Sequence, residues 1–281
     1  MRSKNPEIEG WQRILLLIIP YIFIVGLFQF IGMLIIGVDY KNPNLTSQQH
    51  LAISIFNLIG TFLVVWLFTK FVDKDKFINL GFKIKSRFKE ICYGILIGAI
   101  IMLLGYGLLI LANEITFDKI IVNYKEIIMS ITFFGIVAIV EETLIRGYVL
   151  KNLMISFNKY VALIVSSLLF ASMHLANPNM SLFNFFSLFL AGIFLGISYI
   201  FTKNLWFPIA LHFSWNLSQT FLGFNVSGQD IYSIVEFEIT NNNNYINGGN
   251  FGFEGSIFST IFQIICIILI HNYYGKIEIN N

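Results

Sequence analysis

Glu141 and Glu142 stand side by side within a membrane-length apolar run, in the sequence Glu141-Glu142-Thr143-Leu144-Ile145-Arg146-Gly147. A carboxylate at bilayer depth is unfavourable, by about 2.5–3.5 kcal/mol for one Asp at a helix centre on insertion scales. Two such groups together mark a functional site inside a membrane protein. Two more polar groups interrupt apolar stretches: Phe170-Ala171-Ser172-Met173-His174 and His212-Phe213-Ser214-Trp215-Asn216. A carboxylate, two imidazoles and an amide can between them take up protons and donate hydrogen bonds. Residues 142 and 146 are i, i+4 on a helix and share a face, so Glu142 is expected to neutralise Arg146. Glu141 points about 100° away and is left to face a cavity. His212 and Asn216 are also i, i+4 and project together. Asn177 and Pro178 end the preceding helix near His174.

The elements that must position these groups follow from composition. The chain has 281 residues, 56% hydrophobic and 12% charged, with 30 Phe and a mean hydropathy of +0.74. Soluble domains are about 25% charged, so this is an integral membrane protein. We expect an all-α, polytopic bundle of about eight transmembrane helices, near 14–37, 51–70, 91–112, 127–150, 158–174, 182–201, 206–222 and 256–273. The first run is too long for a cleavable signal peptide and is not followed by a small-residue cleavage site. The whole chain, 1–281, reads as one membrane domain without a soluble part or a sequence repeat.

Basic residues set the orientation. Arg2, Lys4, Arg13, Lys70, Lys74, Lys76, Lys83, Lys85, Arg87, Lys89, Lys151, Lys159, Lys203 and Lys276 fall on one side of an eight-span chain. Only Lys41, Lys119 and Lys125 fall on the other. The positive-inside rule then makes both termini cytoplasmic. Segregated charge of this kind gives no reason to expect nucleic acid as a partner. At about 1.5 Å per residue, Glu141, His174 and Asn216 come within a few turns of one depth, with His212 nearer the cytoplasmic end. The segment 223–255 has no Lys or Arg and is rich in Asn and Gly. It is expected to be an external loop serving as a lid, a half-buried hairpin or a mobile connection. Gly94 with Gly98, and Gly192 with Gly196, are small-xxx-small pairs suited to close helix packing.

Each polar group also has a structural reading. A lone Glu–Arg pair in a bundle is often a packing device, and a lone buried His is more often hydrogen-bonded than catalytic. His50, read as a loop residue, and His271, at a helix end, are taken as ordinary. Ser172 and Ser214 read as helix-packing hydroxyls, and Cys92 and Cys266 as packing residues rather than a disulfide. It is the combination of Glu141, His174, His212 and Asn216 that points to function.

Glu-Glu-x-x-x-Arg, Phe-x-x-x-His and His-x-x-x-Asn, in this order, resemble the motifs of the CPBP family of intramembrane proteases, which includes CaaX-processing endopeptidases and bacterial relatives linked to bacteriocin self-immunity. The resemblance covers residues 85–272. Asn204-Leu205-Trp206 and the run Asn250-Phe251-Gly252-Phe253-Glu254-Gly255-Ser256 are similar to bacterial members. It implies an eight-helix bundle whose active-site cavity opens toward the cytoplasm. It implies that Glu141 activates water with help from His174, and that His212 and Asn216 stabilise the oxyanion, with Glu142, Arg146 and Phe170 as supporting residues. Peptide hydrolysis needs a base for water and a donor for the tetrahedral oxyanion, and these residue types supply both. No serine or cysteine has the base partner that a covalent mechanism needs.

Two chemistries stay open at this point. Glu141, His174 and His212 form a His₂Glu set, a known catalytic zinc combination, so the cofactor is either none or one zinc ion. The metal-free reading is preferred, because Asn is an unusual zinc ligand and a natural oxyanion donor. The expected substrate is a membrane-associated peptide or protein, met at the lipid bilayer of a bacterial plasma membrane. The alternative is a non-catalytic immunity or regulatory protein that binds a bacteriocin or a sensor kinase. An ion-coupled transporter is disfavoured, since paired repeats and Gly/Pro-broken helices are not evident.

Overall fold

Long apolar runs with few charges must satisfy their backbone internally in lipid, which leaves helices as the solution. The structure is a computed structural model that describes residue 5 and residues 7–39 and 45–279. Arg2, Lys4 and Lys41, counted above in the charge asymmetry, lie outside the described residues. Eight helical rods result among the described residues. They are α1 (Gly10–Ile35), α2 (Ser47–Leu67, continued by a π turn Phe68–Val72), α3 (Phe88–Leu111) and α4 (Tyr124–Glu142). The α4 rod continues through a π-helical stretch, Thr143–Leu150, into α5 (Lys151–Ser156). Then come α6 (Lys159–Met173), α7 (Leu182–Gly196) with α8 (Tyr199–Thr202), α9 (Trp206–Phe221) and, after the short α10 (Asn244–Asn247), α11 (Ile257–Ile279).

Six rods are long and apolar enough to cross a membrane by length and composition. The other two, α6 and α9, have 15 and 16 residues. They reach only about 23 Å at 1.5 Å per residue, short of the roughly 30 Å hydrocarbon core. The chain is thus an all-α, multi-pass membrane bundle. The eight expected crossings coincide with eight rods, of which six meet the length of a full span.

Contacts at the rod ends define two faces of the bundle. On one face Arg13 Nη1 pairs with Asp73 at 3.2 Å, Lys151 Nζ with Asp75 at 3.0 Å, and Leu205 N donates to Gly81 O at 3.0 Å. This face gathers the basic loops. On the opposite face a two-stranded antiparallel sheet joins β1 (Ile115–Ile120) to β2 (Val235–Ile239), with an irregularity between Phe117 and Lys119. Among the described residues this face holds only Lys119 and Lys125 of the basic residues.

The sheet is a departure from the all-helical expectation. Thr116, Phe117, Ile120, Val235 and Phe237 favour extended backbone, and pairing satisfies main-chain groups where the chain leaves the bundle. Segment 223–255 therefore has a defined fold: a lid with one strand of a hairpin-like pair, a short helix and two 3₁₀ turns. His50 is also corrected. It lies in the first turn of α2, not in a loop, because Thr46 and Gln49 form a capping box that starts the helix.

The small-residue pairs act as expected. A Cβ on Gly94 or Gly98 would come within 2.8 Å of the backbone of Leu211 or Trp215, and one on Gly192 within 2.8 Å of Ser167. Close α3–α9 and α6–α7 crossings follow, and they hold α9 and α6 where their polar residues meet.

Candidate active site

Glu141 and Glu142 close the last turn of α4, just before the π-helical stretch, whose residues Thr143 to Leu150 are all buried. π turns recur at functional sites. Here the stretch packs into the basic-loop face, in one buried cluster with Leu80, Tyr199, Leu205 and Phe207.

The two carboxylates part as helical phase requires. Glu142 is fully buried and its Oε1 accepts from Arg146 Nη1 at 2.7 Å. The same oxygen accepts from His212 Nδ1 at 2.8 Å. Glu142 is therefore more than the partner of Arg146: it ties α4 to α9. Arg146 in turn donates through Nη2 to Gly192 O on α7 at 3.1 Å and lies over the Phe170 ring of α6 at 4.6 Å. One guanidinium thus contacts three rods. Phe170 is also 4.8 Å, centroid to centroid, from His174 and 6.2 Å from His212.

Glu141 faces a cavity of about 230 Å³ together with His174, His212, Asn216, Phe170 and Glu254. His174 caps α6 at its C-terminus, and its Nδ1 donates to Phe170 O at 2.9 Å, since a carbonyl can only accept. With both Nδ1 atoms committed, His174 and His212 turn Nε2 toward the same atom. Each Nε2 lies 4.0 Å from Glu141 Oε2. That oxygen is buried and without a hydrogen-bond partner among the described residues. A separation of 4.0 Å is too long for a direct hydrogen bond and suits an oxygen bridging at about 2.8 Å to each group. Asn216, one turn beyond His212, is 6% exposed and lines the same cavity. Its amide has no hydrogen-bond partner among the described residues.

Zinc demands closer donors. Bonds of about 2.0 Å in a tetrahedron set ligand atoms roughly 3.3 Å apart, against the 4.0 Å found here. No group of three His, Cys, Asp or Glu side chains stands at ion-holding spacing among the described residues. The His₂Glu set does not fit a metal centre as it stands.

The lid supplies residues outside the three polar motifs. Ser227, Gln229 and Ile231 reach the cavity from the segment after α9, and Glu254 from the 3₁₀ turn before α11. Glu254 is 5% exposed and accepts at Oε1 from the Ser227 amide and from Ser227 Oγ. Burial pushes its carboxyl above the usual range, while the Ser227 hydrogen bonds and the two imidazoles pull it down. An acid in an otherwise apolar, Gly-flanked segment abutting a span was the available sequence signal. The lid closes on itself through Gly228 N, which donates to Phe251 O at 2.9 Å, and is tied to α7 by Ser187 Oγ, which donates to Glu254 O at 2.5 Å. Gly252 has φ +104°, and a Cβ there would fall 1.8 Å from Asn225 O, so this turn requires glycine.

The cavity lies on the face of the bundle opposite the basic loops. Its walls run from Glu141 back along α4 through Val137, Phe134 and Phe133, and up to the lid. A cavity open to the cytoplasm and a positive-inside orientation therefore do not hold together.

Ser172 Oγ donates to Leu168 O and Ser214 Oγ to Ile95 O, as packing hydroxyls would. His50 packs edge-on to Phe133, and His271 Nε2 is 3.1 Å from Tyr160 OH, at the far end of α11.

No curated protein and no solved structure matches the chain. Residues 123–218, about a third of its length, match the family model described as type II CAAX prenyl endopeptidase Rce1-like. The match begins at the N-cap of α4 and ends two residues past Asn216, so it contains all three motifs, the whole of α4 and α6, and α9 up to its last turn. By that match, the central third of this multi-pass membrane chain is similar to the Rce1-like type II CAAX prenyl endopeptidases, which is consistent with the resemblance to CPBP proteases.

Proposed function

We propose that the protein is an intramembrane endopeptidase that hydrolyses a peptide bond of a membrane-associated peptide or protein. The observation that carries this reading is the convergence of His174 Nε2 and His212 Nε2 on Glu141 Oε2, each at 4.0 Å, beside the free amide of Asn216. A water bridging Glu141 and an imidazole would lose a proton to the carboxylate and attack the scissile carbonyl. Asn216 Nδ2, and His212 Nε2 when its ring is protonated, would then face the tetrahedral oxyanion in a site with little water, where such donors are most effective. Glu142, itself held by Arg146, orients the His212 ring so that Nε2 faces the cavity. No step needs a metal.

The buried cluster at the basic-loop face and the lid-side cavity support access from the side poor in basic residues. By the positive-inside rule that side is extracytoplasmic in a bacterial plasma membrane. The lining, rich in Phe, Leu and Val, suits an apolar segment of substrate.

The test compares membrane peptides from cells carrying wild type or Glu141→Gln, by mass spectrometry, followed by cleavage with pure protein. Peptides produced only by wild type are expected. Identical peptide sets, or a phenotype that survives Glu141→Gln at normal expression, would instead favour a non-catalytic immunity or regulatory partner.

A further inference from the structure

The hydrolysis just proposed leaves one proton transfer unassigned. An amine is expelled from a tetrahedral intermediate as the neutral species, so its nitrogen must be protonated as the C–N bond breaks. The ionisable groups that line the cavity are Glu141 from α4, His174 from the end of α6, His212 from α9 and Glu254 from the lid. Both histidines have Nδ1 committed, to Phe170 O and to Glu142, and turn Nε2 toward Glu141. Glu254 stands apart from that cluster of bonds. Its Oε1 is fixed by Ser227, and its backbone carbonyl by Ser187. Its Oε2 has no hydrogen-bond partner among the described residues and is left to the cavity that the side chain lines.

We infer that Glu254 is the acid that protonates the leaving amine, with Ser227 as the residue that positions it. This rests on the endopeptidase reading and assigns a further catalytic residue to it. The step balances. Water gives one proton to Glu141 as its oxygen bonds to the carbonyl carbon, forming the oxyanion. The oxyanion collapses, the C–N bond breaks with its electron pair on nitrogen, and nitrogen takes the proton of Glu254. The products are a carboxylic acid and an amine. The proton held by Glu141 then passes through water to Glu254, and both carboxyls return to their starting states. Two carboxyls in unlike environments are the usual way to run base and acid chemistry at one pH. Burial, which raises the Glu254 carboxyl, supports its starting protonated.

The test uses the full-length protein in nanodiscs. The probes are an internally quenched apolar peptide selected from a random library for cleavage by wild type, and the depsipeptide with an ester in place of the scissile amide. An alkoxide leaves far more readily than an amide anion and has little need of an acid. Glu254→Gln keeps the shape and the Ser227 hydrogen bonds and removes the proton. It is expected to lower kcat on the amide at least 100-fold and on the ester less than about 5-fold. Ser227→Ala should show the same selectivity with a smaller loss. Glu141→Gln should lower both rates together. Equal losses on amide and ester in Glu254→Gln, or none on either, would overturn the assignment while leaving the endopeptidase reading in place. A wild type that cleaves no library peptide would overturn both.

Discussion

His212 and Arg146 meet at a single atom: both donate to Glu142 Oε1, at 2.8 and 2.7 Å. A carboxylate that is fully buried and serves both a guanidinium and an imidazole cannot be removed without stranding charge. Glu142→Ala should therefore destabilise the protein by about 3–5 kcal/mol, the range for breaking a buried pair. Denaturant unfolding in detergent micelles measures it.

Glu141 makes no such bonds, and its Oε2 is unpartnered among the described residues. Glu141→Gln should change stability by less than about 1 kcal/mol while removing the proposed base, at a cost of at least about 100-fold in rate. The pair of measurements, stability and turnover, should separate adjacent residues in opposite directions.

Asn216 lines the cavity, and in the proposed mechanism it donates to the oxyanion. Asn216→Ala should lower kcat about 10²–10³-fold, as for other single oxyanion donors, with KM little changed. A loss confined to KM would instead mean that the amide binds substrate in its ground state.

Zinc spacing is not met by Glu141, His174 and His212. Activity of the pure protein is expected to survive dialysis against 1,10-phenanthroline, and elemental analysis to give far less than one zinc per chain. Stoichiometric zinc, with activity lost and regained on its removal and return, would reverse this.

The side on which the cavity opens can be read by labelling. With Cys92 and Cys266 replaced by alanine, Asp230→Cys on the lid should react with an impermeant maleimide added to intact cells. Lys85→Cys on the basic face should react only after lysis. The opposite pattern would place the cavity toward the cytoplasm.

Much of this arrangement was legible because membrane helices declare themselves. A charge inside an apolar run is conspicuous, and the 100° phase between neighbours was enough to give Glu141 the cavity and Glu142 the buried pair. The bond from Glu142 to His212 was not legible, since it depends on how α4 and α9 cross, which the sequence hints at only through Gly94 and Gly98. The lid was harder still. Ser227 and Glu254 are separated by a strand, a helix and a 3₁₀ turn. Their meeting depends on main-chain bonds such as Gly228 to Phe251, which side-chain periodicity does not report. The β1–β2 pair escaped for the same reason: Ile115–Ile120 is too short and too mixed to stand out beside spans of 20 apolar residues.

The size of the cavity carries a consequence for what can be cut. At about 230 Å³ it falls below the roughly 300–1,000 Å³ of pockets that enclose a drug-sized ligand, and a helix with its side chains is about 10 Å across. On the proposed reading, a substrate would enter as a thread, with its helix unwound at the bond to be broken. Turnover would then be governed by how readily a segment frays, so that Gly, Pro or Asn near the cut, more than any one side chain, would decide which membrane peptides are consumed and which pass untouched.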